Sequence, residues 1–341
     1  MKEEERMTFQ EFASEIVRRI NRQFVDQGYP EGSVQYLYVQ KPNGSYPGVM
    51  IKLPWGEDGQ EIQACFNLKE FYRQFGNLPI SQAEVAIYQN IQPYLEKSVI
   101  TDCRKLLDEN RRYDNVKPHL YVELCGIQWN REALRGISCQ PVKGAEDLVF
   151  TACVDLGGGR FFRVRDTILK TWGISREQLF ADAIEQGQKR YPPSVQAVFP
   201  DGMRDTEFAN IEEAEAIRVT NRDGCLGAAA LFYPGMLETL GKQCGDFYIV
   251  PKSIHEIFLF LQKRIPSDQA VKMEKFLCRM NREKTPPNER LSDQVYHYAV
   301  GERKLERITA YLDRMDKGKN PISEKGKDRQ LGQPGVIPPS I

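Results

Sequence analysis

The chain has 341 residues, 41% of them hydrophobic and 28% charged, with 47 basic against 47 acidic side chains. That is an ordinary globular composition, long enough for two units or one large one, and a chain of this size needs no disulfide or metal staple to fold. Balanced charge supplies no global field for nucleic acid or anionic lipid, and no apolar run approaches the ~20 residues of a membrane helix.

The first predicted element is a helix. Phe9, Phe12, Ala13, Ile16, Val17, Ile20 and Phe24 recur at helical spacing and form one apolar stripe. Thr8 and Glu11 have capping-box spacing, and Gly28 suits a left-handed stop. Strands are expected over 34–41 and 49–53 around the Asn43-Gly44 turn, with a third over 61–68. Helices follow over 69–75 and 82–112, the second broken near Pro93.

Beyond Tyr113, residues 119–124 and 148–156 read as strands, and Gly157-Gly158-Gly159 as a turn into 161–164. A short helix over 166–172 stops at Gly173, and Ser175 with Gln178 caps the next one. Residues 201–210 read as a loop. Further strands are expected over 216–220, 226–233, 247–250, 257–261 and 295–298. Pro234 suits the first turn of a helix carrying Met236, Leu237 and Leu240. Helices are expected over 270–280 and 303–315. The fold class is therefore α+β, with mixed or antiparallel sheets and packed helices. It divides into an N-terminal α+β segment over 1–113, a C-terminal α+β segment over 114–315, and a Gly/Lys/Pro/Ser-rich tail over 316–341 expected to be disordered.

Eight cysteines are scattered without a C-x-x-C pair, several inside apolar runs, as buried reduced thiols are. The polar start from Lys2 to Arg6 has no apolar signal-peptide core behind it. Both features point to a cytoplasmic protein without disulfides.

Ser253, His255 and Glu256 place a hydroxyl, a base and a carboxylate within four residues, as hydrolase sites do. The same residues have capping-box spacing after Pro251, which makes a structural turn the competing reading. His119, His255 and His297 lie at no helical ligand spacing, and Cys139 and Cys153 form no knuckle, so no metal is expected. Gly157 to Arg160 lacks the Lys and Ser/Thr of a phosphate loop, and no cofactor is expected. Tyr233 and Gly235, at a strand-to-helix corner, are candidates for binding an anion. Trp172 reads as a core anchor. Asp293, Tyr296, His297 and Tyr298 form a polar–aromatic cluster; if the strand from Val295 to Tyr298 is an open edge, it can pair with a partner protein's strand. Arg104-Lys105 and Arg111-Arg112-Tyr113 alternate with acids as a solvated helix face does, so nucleic acid is not favoured.

Three segments carry a family resemblance: TILKTWGIS at 167–175, GAAALFYPG at 227–235 running on to DFYIVPKSIHE at 246–256, and LSDQVYHY at 291–298. In order and spacing they resemble a bacterial family known only as domain of unknown function 5688, found in Clostridia, with the likeness extending from Met7 to Leu312. The resemblance implies a cytoplasmic protein and assigns no catalytic residue. The reading from residues and resemblance together is a non-enzymatic binding or regulatory protein. The alternatives are a hydrolase-like enzyme using His255 and Glu256 with Ser253 or Asp293, and a nucleic-acid-associated accessory of a mobile element.

Overall fold

The computed structural model describes residues 7–55, 60–95, 105, 109–157, 160–200, 202–205 and 211–319. It is α+β, and its three sheets are antiparallel throughout.

The N-terminal core is self-contained in sequence. Helix α1 (Phe9–Asp26) starts in the expected capping box: the Thr8 hydroxyl accepts from the Glu11 amide, and the Glu11 carboxylate accepts from the Thr8 amide. Its stripe of Phe12, Ile16, Ile20 and Phe24 is fully buried, each side chain stabilising by about 1.5–3 kcal/mol. It packs on a meander of β1 (Val34–Val39), β2 (Tyr46–Trp55) and β3 (Gln60–Asn67). Asn67 caps α2 (Leu68–Phe75) by accepting from the Lys69 and Glu70 amides. Helix α3 (Ile80–Ile91) completes this core and gives way at Gln92–Leu95 to a 3-10 turn containing Pro93. The expected break near Pro93 is thus present; beyond it Lys105 and Glu109 are helical, and 96–104 and 106–108 lie outside the described residues.

After a helical turn, α4 (Tyr113–Val116), comes β4 (Leu120–Gly126), then another helical turn, α5 (Ile127–Asn130). Next are β5 (Cys139–Val142), the long β6 (Ala145–Gly157) and β7 (Arg160–Arg163). In this sheet β6 pairs with β4 on one side and with β5 and β7 on the other. Helix α6 (Asp166–Trp172) stops at Gly173 with φ +67, as expected, and the Ser175 hydroxyl caps α7 (Arg176–Arg190) by accepting from the Gln178 amide.

The largest sheet contains β8 (Pro193–Phe199), β9 (Gly202–Asp205), β10 (Ala216–Asn221), β11 (Phe247–Val250), β12 (Ile257–Leu261), β13 (Tyr296–Ala299) and β14 (Lys304–Arg307), in the order β14-β13-β11-β12-β10-β8-β9. Helices α8 (Met236–Cys244), α9 (Ser267–Glu283) and α10 (Ile308–Lys319) complete the chain. Alternation along β11 serves two cores. Phe247 and Ile249 face the β4/β6 sheet, whereas Tyr248 packs with α9 and α10 residues Leu277 and Ile308.

Four expectations need correction. Residues 227–232 form a 3-10 helix (Gly227–Phe232), not a strand. Leu226 adopts φ +55, turning the chain, and a β-carbon on Gly227 would overlap the Asn221 amide and the Thr220 hydroxyl. The last helix begins at Ile308, because Arg303, with φ +48, turns the chain from β13 into β14. The segment 201–210 holds β9 rather than only a loop. Helix α10 also runs to Lys319, into the expected tail, while 320–341 lie outside the described residues.

The strand at Val295 to Tyr298 is not an edge: β13 pairs with β11 on one side and β14 on the other. The two C-terminal sheets meet closely there. Asp147 of β6 accepts from the Ser292 and Tyr296 hydroxyls, each at 2.7 Å, with Arg307 at 3.4 Å. A β-carbon on Gly126 would overlap the Leu291 carbonyl oxygen. Replacing Gly126 with Ala must therefore push the sheets apart, and a urea-unfolding series is expected to show a loss of about 1–3 kcal/mol without a change in slope.

Candidate functional site

In β4 one face, Leu120, Val122 and Leu124, enters the core. The other carries Tyr121, Glu123 and Cys125, and the register adds Thr151 and Cys153 of β6 and Arg163 of β7. A buried carboxylate must be paired, and Glu123, 2% exposed, accepts from Arg163 at 2.5 Å and from the Tyr121 hydroxyl at 3.3 Å. Burial pushes the neighbouring Cys153 thiol well up, so it stays protonated.

Next to this face lies a cleft of about 270 Å³. Its aromatic walls are Tyr121, Phe161, Tyr191 and Tyr233. The rings of Tyr191 and Phe161 stand at 65° and 68° to that of Tyr121, with centroids 5.2 and 6.5 Å away. Tyr191 ends α7 and donates to Asp155 at 3.0 Å. Asp155 also accepts from the Gly157 amide at 2.7 Å and from Arg190 at 2.5 and 2.8 Å. Burial raises the Asp155 pKa, but the Gly157 amide, Arg190 and Tyr191 outweigh it and hold the group below its ordinary value. The opposite wall is the bend Asn221, Asp223, Cys225 and Leu226, continuing into Gly227 and Ala230.

Tyr233 is the one cleft residue among those expected to bind. It is 4% exposed, and its hydroxyl has no hydrogen-bond partner among the described residues. Burial, with a smaller contribution from Tyr191, pushes its pKa up to about 12, so the phenol is neutral. Gly235 is exposed, with φ +80, in the turn before α8; the corner forms as a turn into a helix.

Ser253, His255 and Glu256 come together, but not as a relay. The Ser253 hydroxyl accepts from the His255 backbone amide, not from the ring. Ser253 and Glu256 exchange backbone hydrogen bonds, so the motif is a tight turn rather than a helix cap. Glu256 is ion-paired with both Arg218 and Lys252; these pairs outweigh burial and hold its carboxyl below the usual value. His255 Nδ1 accepts from the Leu226 amide at 3.0 Å, and its backbone carbonyl accepts from Thr220 at 2.7 Å. Its Nε2 lies 3.9 Å from Glu289 in a polar recess. Asp293 accepts instead from Asn281 at 2.8 Å. His255 thus pins the left-handed Leu226 within the cleft's far wall.

Tyr296 and His297 are interior. Tyr296 belongs to the Asp147 clamp. His297 is stacked on Tyr311, with centroids 3.8 Å apart, and its Nε2 donates to Gln262 at 2.8 Å. Its Nδ1 is buried without a partner. His119 is exposed, and among the described residues no three His, Cys, Asp or Glu side chains gather to hold a metal. Gly157 begins a β6–β7 hairpin connection as expected, with Gly158 and Gly159 outside the described residues. Trp172 is a core residue whose indole donates to the Asn110 carbonyl at 3.0 Å.

The family of unknown function DUF5688 matches residues 9–300, and the chain belongs to that family. No curated protein and no solved structure matches it.

Sequence reasoning missed Tyr121, Phe161, Tyr191, Asp155, Asp223 and Cys225. The available signal was Glu123, a carboxylate inside an otherwise apolar strand.

His297 yields a pH dependence. Burial lowers its pKa from 6.5 to about 4, so the unfolded chain takes up the proton first. Its contribution is complete above pH 6.5 and is lost progressively toward pH 4. Denaturation at stepped pH is expected to show a loss of roughly 2 kcal/mol across that window, and His297→Leu should remove this component of the slope.

Proposed function

We propose that the protein is a non-enzymatic binding protein whose ligand occupies the cleft between Tyr121, Tyr191 and Tyr233. The observation that carries this reading is the Tyr233 side chain: its ring is buried and its phenol neutral, and its unpartnered hydroxyl opens on a cleft walled by three further aromatic rings. A hydroxyl left open at a cleft can donate to a ligand acceptor, for a net gain of about 0.5–1.5 kcal/mol. The aromatic lining with a few convergent polar groups is what small-molecule sites use. The His255 turn supports the reading from behind, since its ring is spent on positioning Leu226. The seven described cysteines are free thiols, which supports a reducing, cytoplasmic setting.

Cys225, exposed at the cleft, offers a direct readout. The purified full chain is screened with a fragment library by ligand-observed NMR, and alkylation of Cys225 is followed by peptide mass mapping. Binders that slow alkylation at Cys225 while leaving Cys278 unchanged are expected, and Cys225→Trp should abolish their binding by filling the cavity. A screen in which no fragment protects Cys225 overturns the proposal. His255→Ala should weaken the same binders by about tenfold through the released wall, since losing this hydrogen bond costs about 1 kcal/mol or more.

A further inference from the structure

We infer that the ligand of this cleft is a small organic cation carrying an alkylammonium head; the inference rests on the binding reading above and specifies its chemistry. Aromatic faces attract cations through the ring quadrupole, most strongly when several faces surround the charge. Here the Arg163 guanidinium already lies 5.1 Å from the Phe161 ring centroid, so the rings left for a ligand cation are Tyr121, Tyr191 and Tyr233 of the same lining.

Two of these rings are tuned in the same direction. The Tyr121 hydroxyl donates to Glu123, and the Tyr191 hydroxyl donates to Asp155. A phenol that donates to a carboxylate becomes more electron-rich, so its face binds a cation better.

The charges nearby agree. Glu123 is compensated by Arg163, and Asp155 by Arg190. Asp223, on the opposite wall, has neither a hydrogen-bond nor an ion-pair partner among the described residues. No lysine, arginine or histidine is among the described lining residues. The cleft therefore presents one uncompensated carboxylate beside neutral aromatic walls, a combination that repels anions and leaves a cation well placed. A volume near 270 Å³ admits a methylated ammonium with a short tail.

An ammonium of this kind can come from a free amine or from a methylated lysine side chain. The test titrates the full chain, by NMR and by Cys225 protection, with choline, with its neutral isostere 3,3-dimethyl-1-butanol, and with a short peptide containing trimethyl-lysine. Choline or the peptide should bind at least about tenfold more tightly than the neutral isostere. Tyr121→Leu and Asp223→Asn should each erase most of that preference; because Asp223 is exposed, its variant guards against misfolding. Tighter binding of choline than of the peptide assigns the free amine, and the reverse assigns the lysine side chain. Equal binding of choline and isostere overturns the cation inference while leaving a ligand cleft. If neither cation binds but fragments protect Cys225, the inference again fails alone. If nothing protects Cys225, the binding reading fails with it.

Discussion

Asp147 sits on β6, yet its carboxylate is bound to residues around β13. It accepts from Ser292 and Tyr296, and Arg307 approaches from β14. One acidic side chain thus fastens the four-stranded sheet to the seven-stranded one. Hydrogen bonds to an ionised group are worth about twice neutral ones. They also fix register, because the hydroxyls of Ser292 and Tyr296 must both reach the same two oxygens. The absence of a side chain at Gly126 allows the approach that this clamp demands. The core between the sheets, including Phe150, Ile217 and Leu259, depends on that spacing, since protein interiors tolerate little change in volume.

The cleft inherits its form from the same spacing. Its near wall belongs to β4, β7 and the end of α7, and its far wall to the bend after β10 and the 3-10 helix. The 3-10 helix lies between the sheets, with Ala228, Ala229 and Ala230 almost completely buried. Small residues suit a segment squeezed between two β layers. The left-handed Leu226 that introduces it is a strained choice for a branched residue, and the His255 ring and Ile254 carbonyl hold the backbone on either side of it. What looks in sequence like a base beside a hydroxyl is a bracket for the wall of another cavity.

Much of the fold was legible in the residues. The Thr8–Glu11 box, the Gly173 stop and the Ser175 cap are local chemistry, and each appears as read. The strands 247–250 and 257–261 were legible because their apolar runs are short and bounded. The 3-10 segment was not, because Gly-Ala-Ala-Ala-Leu-Phe carries no decisive period and its conformation follows from contact with Thr220 and Asn221. Strand β14 was hidden because Lys304–Arg307 runs directly into α10, and the turn at Arg303 has no glycine at its left-handed position. The strand at 295–298 has a recognisable pattern, but whether a strand is central or at an edge depends on neighbours that the segment itself does not encode. The cleft was the least legible feature, because its rings come from four separate elements.

The buried Glu123–Arg163 pair connects these levels. An ion pair inside a protein is weak evidence for stability, since desolvation offsets much of the attraction. Arg163 leaves its Nε without a partner, and the Thr151 hydroxyl beside it is likewise unpaired. An apolar pair of similar volume would fill this face with fewer unsatisfied groups. The charged pair does what an apolar one could not: Glu123 accepts from the phenol of Tyr121, and Arg163 neutralises Glu123 while its guanidinium lies 5.1 Å from the centroid of Phe161, another of the cleft's rings. The cost in packing and desolvation falls beneath the cavity, and what the pair secures is the orientation of the Tyr121 ring that lines it. Removing either partner alone would leave the other charge buried and unpaired, which costs far more than replacing both, so the two residues and the ring above them are fixed together.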